Sequence, residues 1–168
     1  MKPEYLDFLK TLIEYDPTSG IFRWLVARNS HGGKVIPGAI AGTKNDGYVQ
    51  IIVDQRKYRA HRLAWLLMTG EFPVKGYEID HINGARDDNR WENLRLVTRH
   101  QNNMNMGVSK ANRSGVRGVS WLKRRNKWHA RIKVEGRVIC LGDFVSLEAA
   151  AAARKAAEEK YFGEFMRK

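Results

Sequence analysis

Between Glu78 and Asn103 the chain reads EIDHINGARDDNRWENLRLVTRHQNN, a stretch that sets His81 beside Asp80 and holds five asparagines. An imidazole titrates near neutrality and can take a proton from water, while a carboxylate offers hard oxygen to a divalent cation. Hydrolysis of a phosphodiester needs a base for the water, a cation on the scissile phosphate and groups that fix both in place. Asn93 follows Asp80 by thirteen positions, and Asn102 follows Asn93 by nine. The spacing does not suit a calcium loop of the EF-hand kind, which needs glycine sixth and glutamate twelfth: counted from Asp80, Gly84 is fifth and Glu92 thirteenth. Asn83, Asp87, Asp88 and Asn89 read first as turn residues, because Asn and Asp tolerate left-handed backbone and bond to nearby main chain. Asn89 is also kept as an accessory candidate.

To present these groups together, the chain must end one strand at Asp80 and His81, within YEIDHI, and run a second through LRLV. Thr98 and Gln101 form a T-x-x-Q capping box that starts a short helix, with Asn102 in its first turns. The order strand, loop, strand, helix returns Asn102 towards the strand end that presents Asp80. Trp91, Leu94 and Leu96 read as core, and His100 as solvent-facing. Upstream, PEYLDFLKTLIEY has apolar residues at helical spacing before the turn DPTSG. Tyr48 to Val53 alternates as a strand, DQRK turns, Tyr58 to Ala60 runs back, and a helix follows from His61 to about Met68, closed by Gly70.

This layout resembles the HNH endonucleases, whose ββα-metal motif has the same order. IDHINGARDDNRWENLRLVTRHQNN is similar to the branch found in phage and intron-encoded homing endonucleases, where the last ligand is asparagine and zinc-binding cysteines are absent. The resemblance is close over residues 77–105 and looser over the preceding AHRLAWLLMTGEFP. It implies Asp80 as a metal ligand, His81 as general base, Asn93 as the brace that orients His81, and Asn102 as the second protein ligand. It also implies Mg²⁺, or another divalent cation such as Mn²⁺, with DNA phosphate oxygens and water completing the shell. His61, in YRAHRLAW, reads mainly as packing but could approach the site or a phosphate. The single cysteine, Cys140, excludes an internal disulfide and a thiolate zinc cluster, so no structural zinc is expected.

A net charge of +12 favours a polyanionic partner, because Lys and Arg attract phosphates and release counterions on binding. Double-stranded DNA leads. A membrane is disfavoured, since the sequence has no long apolar run, signal-peptide pattern or strongly basic amphipathic helix, and a soluble protein of bacterial or phage-infected cytoplasm is expected. No protein partner can be named. Charge is uneven: residues 1–106 carry 15 basic and 12 acidic side chains, and residues 107–168 carry 15 and 6. Asn103 to Gly115 lacks periodicity and reads as a linker, with a boundary near Met106.

Beyond it, GVRGVSWL, KWHARIKV and RVICLGDF read as three antiparallel strands, and SLEAAAAARKAAEEKYFG as a helix capped by Ser146 and ended by Gly163. Ser109 to Arg137 carries ten basic residues against one acidic, among them Lys123, Arg124, Arg125 and Arg137 as DNA-contact candidates. A β-sheet can enter the major groove, where Arg reads guanine and Lys mainly contacts phosphate. Residues 113–164 resemble the AP2/ERF DNA-binding domain through RGV, the W-x-A-x-I strand, LGDF and the Ala-rich helix. That resemblance implies strands that read the groove, with Arg117, Arg131 and Lys133 at DNA-contacting positions, and Trp128 as core. Ser120 and Cys140 stand where plant members carry arginine and tryptophan, so base preference does not transfer.

The expected fold is α+β: an N-terminal ββα-metal domain with a helix and strand extension over residues 1–106, and a three-stranded antiparallel sheet on one helix over 107–168. The expected function is metal-dependent DNA endonuclease of homing or phage type, nicking or cutting both strands, targeted by the sheet. The alternatives are a non-enzymatic sequence-specific DNA-binding regulator that retains the HNH scaffold, and an RNA-binding protein.

Overall fold

Two segments of different periodicity open the chain. α1 (Pro3–Leu12) has Glu4 in its electropositive first turn and Lys10 in its last, both favourable to the helix dipole. It ends earlier than the periodicity of PEYLDFLKTLIEY implies: Ile13–Tyr15 is a strand, β1, paired antiparallel with β2 (Phe22–Trp24). The intervening DPTSG forms the turn, Asp16 accepting from Thr18 N at 2.9 Å and from Ser19 Oγ at 2.6 Å. Those bonds hold Asp16 below the usual carboxylate range, the Ser19 hydroxyl contributing most. The structure is a computed structural model that describes residues 3–30, 33–105, 107–109 and 111–165.

Short strands β3 (Arg28–Ser30) and β4 (Gly33–Val35) pair with each other. β5 (Thr43–Asn45), β6 (Tyr48–Val53) and β7 (Arg56–Arg59) make a three-stranded meander. α2 (Ala60–Thr69) follows directly and buries Leu63, Ala64 and Leu66. Gly70 ends it in left-handed conformation, its N–H bonded to Leu66 O. Leu9, Ile13, Phe22, Trp24, Ile51, Val53 and the buried face of α2 form one apolar core. β8 (Tyr77–His81) and β9 (Leu94–Thr98) form a separate antiparallel ribbon, joined through a 3₁₀ turn at Trp91–Asn93. Leu94 is buried and Trp91 packs on the core, but Leu96 is 38% exposed, contrary to its reading as core. Val97 is buried instead, because the ribbon is covered on opposite faces at its two ends and strand parity does not report that.

α3 (Arg99–Met104) starts immediately after β9. Farther on, β10 (Val119–Leu122), β11 (Lys127–Val134) and β12 (Arg137–Phe144) form an antiparallel meander, and α4 (Leu147–Phe162) packs against it. Ser146 caps α4 by accepting from Ala149 N at 3.1 Å. Its alanines let the helix approach closely: Ala150 packs with Val119 and Ala130, and Ala157 with Ile132 and Phe162. Trp128 is half-buried against the first of these clusters. Buried Arg154 is satisfied by Glu158 and by the Arg131 carbonyl, which it reaches at 3.0 Å.

The architecture is thus mixed α+β, with small antiparallel sheets and four α-helices among the described residues. The chain divides into two compact units, Met1–Thr98 and Arg99–Lys168, so α3 groups with the C-terminal sheet. Met106, the expected boundary residue, lies outside the described residues.

Candidate active site

The β8–β9 ribbon places the chemistry-bearing pair. Its register sets Asp80 opposite Arg95 and His81 opposite Leu94, and both Asp80 and His81 are buried. Asp80 Oδ2 accepts from Arg95 Nε at 3.0 Å and from Nη2 at 2.8 Å. Pairing with a guanidinium offsets the cost of burying the carboxylate. A carboxylate has about four lone-pair sites, so carboxylates that pair with arginine can also ligate a cation. Arg95 went unnoticed in the sequence, although it is the one charge inside LRLV and falls opposite Asp80 once the ribbon is paired.

His81 has its Nε2 3.5 Å from Asn89 Oδ1, long for a hydrogen bond. The amide orientation is fixed independently, because Asn89 Nδ2 donates to the Asp87 carbonyl at 3.0 Å. Asn89 therefore turns its carbonyl oxygen towards the ring. Burial pulls the His81 pKa below 6.5, against the opposing influence of Asn89 and then of Asp80, Asp88 and Asp87. Burial thus disfavours the protonated, charged ring. His61, on α2, meets it edge-on with centroids 4.9 Å apart, and Tyr48 stands 5.4 Å from His61 and 6.1 Å from His81. His61 is thus both packed and adjacent to the candidate base. Its pKa falls to about 3, first through burial and then through repulsion by His81. Among the described residues, its Nδ1 is buried without a hydrogen-bond partner.

The loop between the strands is held from inside. Asn93 Oδ1 accepts from Asn83 N at 3.0 Å, and Asn93 Nδ2 donates to Asp88 O at 2.8 Å, so one buried amide spans the loop. Asn83 Oδ1 accepts from Ala85 N at 2.8 Å, a local turn, and Asn83 Nδ2 reaches Asp88 Oδ2 at 2.8 Å. Arg90 grips Asp88 with Nε at 2.9 Å and Nη2 at 2.8 Å, which draws the Asp88 pKa down to about 2. Tyr15 donates to Asn89 O at 2.7 Å and Trp91 N to Pro17 O at 2.9 Å, so the β1–β2 hairpin backs the loop.

Cations rim this side of the first unit. Arg59 and Arg86 both lie over the Tyr48 ring, with guanidinium carbons 3.8 and 5.0 Å from its centroid, and Lys44 pairs with Asp87 at 2.6 Å. Tyr48 read only as a strand residue in the sequence. Among the described residues no group of three His, Cys, Asp or Glu side chains gathers to hold a metal. The carboxylate and amide oxygens available are hard donors, suited to Mg²⁺ or Mn²⁺, which keep water and phosphate oxygens in their shells.

In the second unit, Asn102 lies half-buried on α3. Arg117 turns into that unit: Nη2 donates to Asn103 O at 2.7 Å and Nη1 to Met104 O at 3.0 Å, gripping the C-terminal end of α3. Burial, then Arg154, lowers its pKa. Lys123, Arg124 and Arg125 form an exposed 3₁₀ turn between β10 and β11. Arg131 and Lys133 are exposed on the β11 face opposite buried Ala130 and Ile132, and Arg137 is exposed at the start of β12.

Residues 58–104 match the family model described as HNH endonuclease. Asp80, His81, Asn89, Asn93, Asn102 and His61 all fall inside that stretch. The chain is 40% identical over 79 residues to Protein 3.8 of Escherichia phage T7, an alignment covering 47% of this chain and 64% of that protein. It is 33% identical over 113 residues to an uncharacterized HNH endonuclease of Acanthamoeba polyphaga mimivirus, covering 67% of this chain and 57% of the relative. The chain therefore spans less than two thirds of either relative. No solved structure matches it. Among the described residues no helix is long and apolar enough to cross a membrane.

Proposed function

We propose that this protein is a divalent-metal-dependent DNA endonuclease of the HNH kind, of homing or phage type, directed to duplex DNA by the β10–β12 sheet. The observation that carries the reading is His81: a buried imidazole whose protonated form burial disfavours, next in sequence to buried Asp80, in a loop braced by Asn93. Neutrality is what a general base requires, since a protonated ring cannot accept a proton from water. His81 takes that proton as the water oxygen bonds to phosphorus; the P–O bond to the leaving deoxyribose oxygen breaks, and that oxygen takes the electron pair and gains a proton from solvent water. Asn89 faces the ring, and Asn93 braces the loop at the Asn83 N–H and the Asp88 carbonyl. Asp80 and Asn102 are the proposed protein ligands of Mg²⁺ or Mn²⁺. A bound divalent cation supplies positive charge to the scissile phosphate. Arg59, Arg86 and Lys44 suit the approach of a polyanion.

The test is incubation of supercoiled DNA with protein and Mg²⁺, wild type beside His81→Ala. Wild type converts the DNA to nicked or linear form. His81→Ala slows the reaction by about 10³-fold, the scale of general-base loss, while DNA affinity is retained. Full activity in the variant would overturn the assignment of the base. Because burial lowers the His81 pKa, the acid limb of the kcat/KM profile should fall below pH 6.5. A limb centred above 6.5 would contradict a desolvated His81 as the base.

A further inference from the structure

The face of the C-terminal sheet that α4 leaves open is basic, yet it displays one carboxylate. Arg131, Lys133 and His129 point to this face, because Ala130 and Ile132, at alternate positions of β11, are buried against the helix side. Asp143 reaches it through an irregularity. From Val134 to Arg131 the strand partners of β11 run Arg137, Val138, Ile139 and Cys140; past a bulge between Ala130 and Arg131 they run Gly142, Asp143 and Phe144. Leu141 is the extra residue. Were the pairing regular through Leu141, Asp143 would lie opposite Trp128 and turn towards the helix; the bulge leaves Leu141 unpaired, so Asp143 lies opposite His129 and turns outward.

An acid here opposes the attraction of a polyanion, and both of its oxygens are engaged. Asp143 Oδ1 accepts from His129 Nδ1 at 2.7 Å, and Oδ2 accepts from Arg125 Nη1. Arg125 comes from the exposed 3₁₀ turn and keeps a side chain 57% accessible. A guanidinium has five N–H donors in a rigid fork, so one donated bond to Asp143 leaves the capacity for a bidentate contact elsewhere. Tethering also removes rotamer freedom that the arginine would otherwise lose on binding. A bidentate arginine pairs with the O6 and N7 acceptors of guanine in the major groove.

We infer that Asp143 is a positioning residue for base recognition: it holds Arg125 for a guanine in duplex DNA, with His129 securing the other carboxylate oxygen. The inference rests on the reading of this sheet as the DNA-binding face, and goes beyond it by assigning a specificity element and the base it reads.

The test is selection from a randomised duplex DNA library by the full-length protein in EDTA, which prevents cleavage. Wild type should enrich a motif with an invariant guanine. Arg125→Gln and Asp143→Ala should both lose the preference at that same position, by about 10-fold, and keep the remaining positions. Asp143→Ala should also bind unrelated duplex more tightly, because it removes a negative charge from the contact face; a merely unfolded variant would bind less tightly. Should Asp143→Ala fail to fold, Asp143→Asn removes the charge at nearly constant shape and carries the same comparison. An unchanged motif in the Asp143 variants overturns the inference. Separately, unchanged DNA affinity in the double variant Arg131→Gln, Lys133→Gln overturns the reading of the sheet as the DNA-binding face, so the two failures are distinguishable.

Discussion

His81 and Asn93 illustrate how buried polar residues divide between chemistry and scaffolding. Asn93 satisfies two backbone groups of the loop with one amide, Asn83 N and Asp88 O. Asn93→Ala leaves both groups without that partner and should cost about 1–3 kcal/mol, read as a lower urea midpoint. His61 predicts a pH effect. Its folded pKa is about 3 against 6.5 in the unfolded chain, so below pH 6.5 the unfolded state binds the extra proton. Stability is full above 6.5 and declines as pH falls towards 3, by roughly 1.4 kcal/mol per pH unit across the window. Urea midpoints measured from pH 7 to 4 should show this decline in wild type and a shallower one in His61→Phe. Equal slopes would mean that His61 is not the group being desolvated.

Elements matter here through what backs them. The turn between β1 and β2 supports the loop of the candidate site, and its Gly20 has φ +72°. A Cβ built on Gly20 would stand 2.5 Å from both Arg90 N and Asn89 C, backbone atoms that cannot swing aside. Gly20→Ala should therefore destabilise the protein by about 3 kcal/mol, through left-handed backbone strain and overpacking together. Since Asn89 faces His81, the same variant should lose cleavage activity even where it remains folded. Thermal unfolding and plasmid nicking measured on one preparation check both outcomes. A nearly neutral Gly20→Ala would show that the hairpin and the loop separate without cost.

On the scale of the whole molecule, charge is the organising variable. Excess positive charge concentrates beyond residue 106, and the described part of it includes the exposed Arg131 and Lys133 on the outward sheet face. If each contacts one phosphate, Arg131→Gln with Lys133→Gln should reduce the slope of log K against log salt by about 2, since each neutralised phosphate contributes about 0.9. Salt titrations of duplex binding measure this directly. An unchanged slope would place the phosphate contacts elsewhere. Arg117 should behave differently: its guanidinium grips Asn103 O and Met104 O.

Much of the local order was legible without coordinates. Alternation in YEIDHI and LRLV, the helical spacing after Tyr58 and the stop at Gly70 correspond to the observed β8, β9 and α2, because each depends on periodicity and turn chemistry within a few residues. Asp80, His81, Asn93 and Asn102 stood out by type and offset. The end of α1 was not legible: Ile13 and Tyr15 fit a helix face as well as a strand, and only pairing with Trp24 and Phe22 makes them β1. Nor could the sequence show that Arg95 binds Asp80, that Arg59 and Arg86 lie over Tyr48, or that Arg117 turns inward. The direction of Asp143 depends on a bulge that leaves Leu141 of β12 unpaired. A sequence period says which residues share a face of their own element. Which neighbour covers that face, in what register, and which charge it meets there are decided only when distant segments pack.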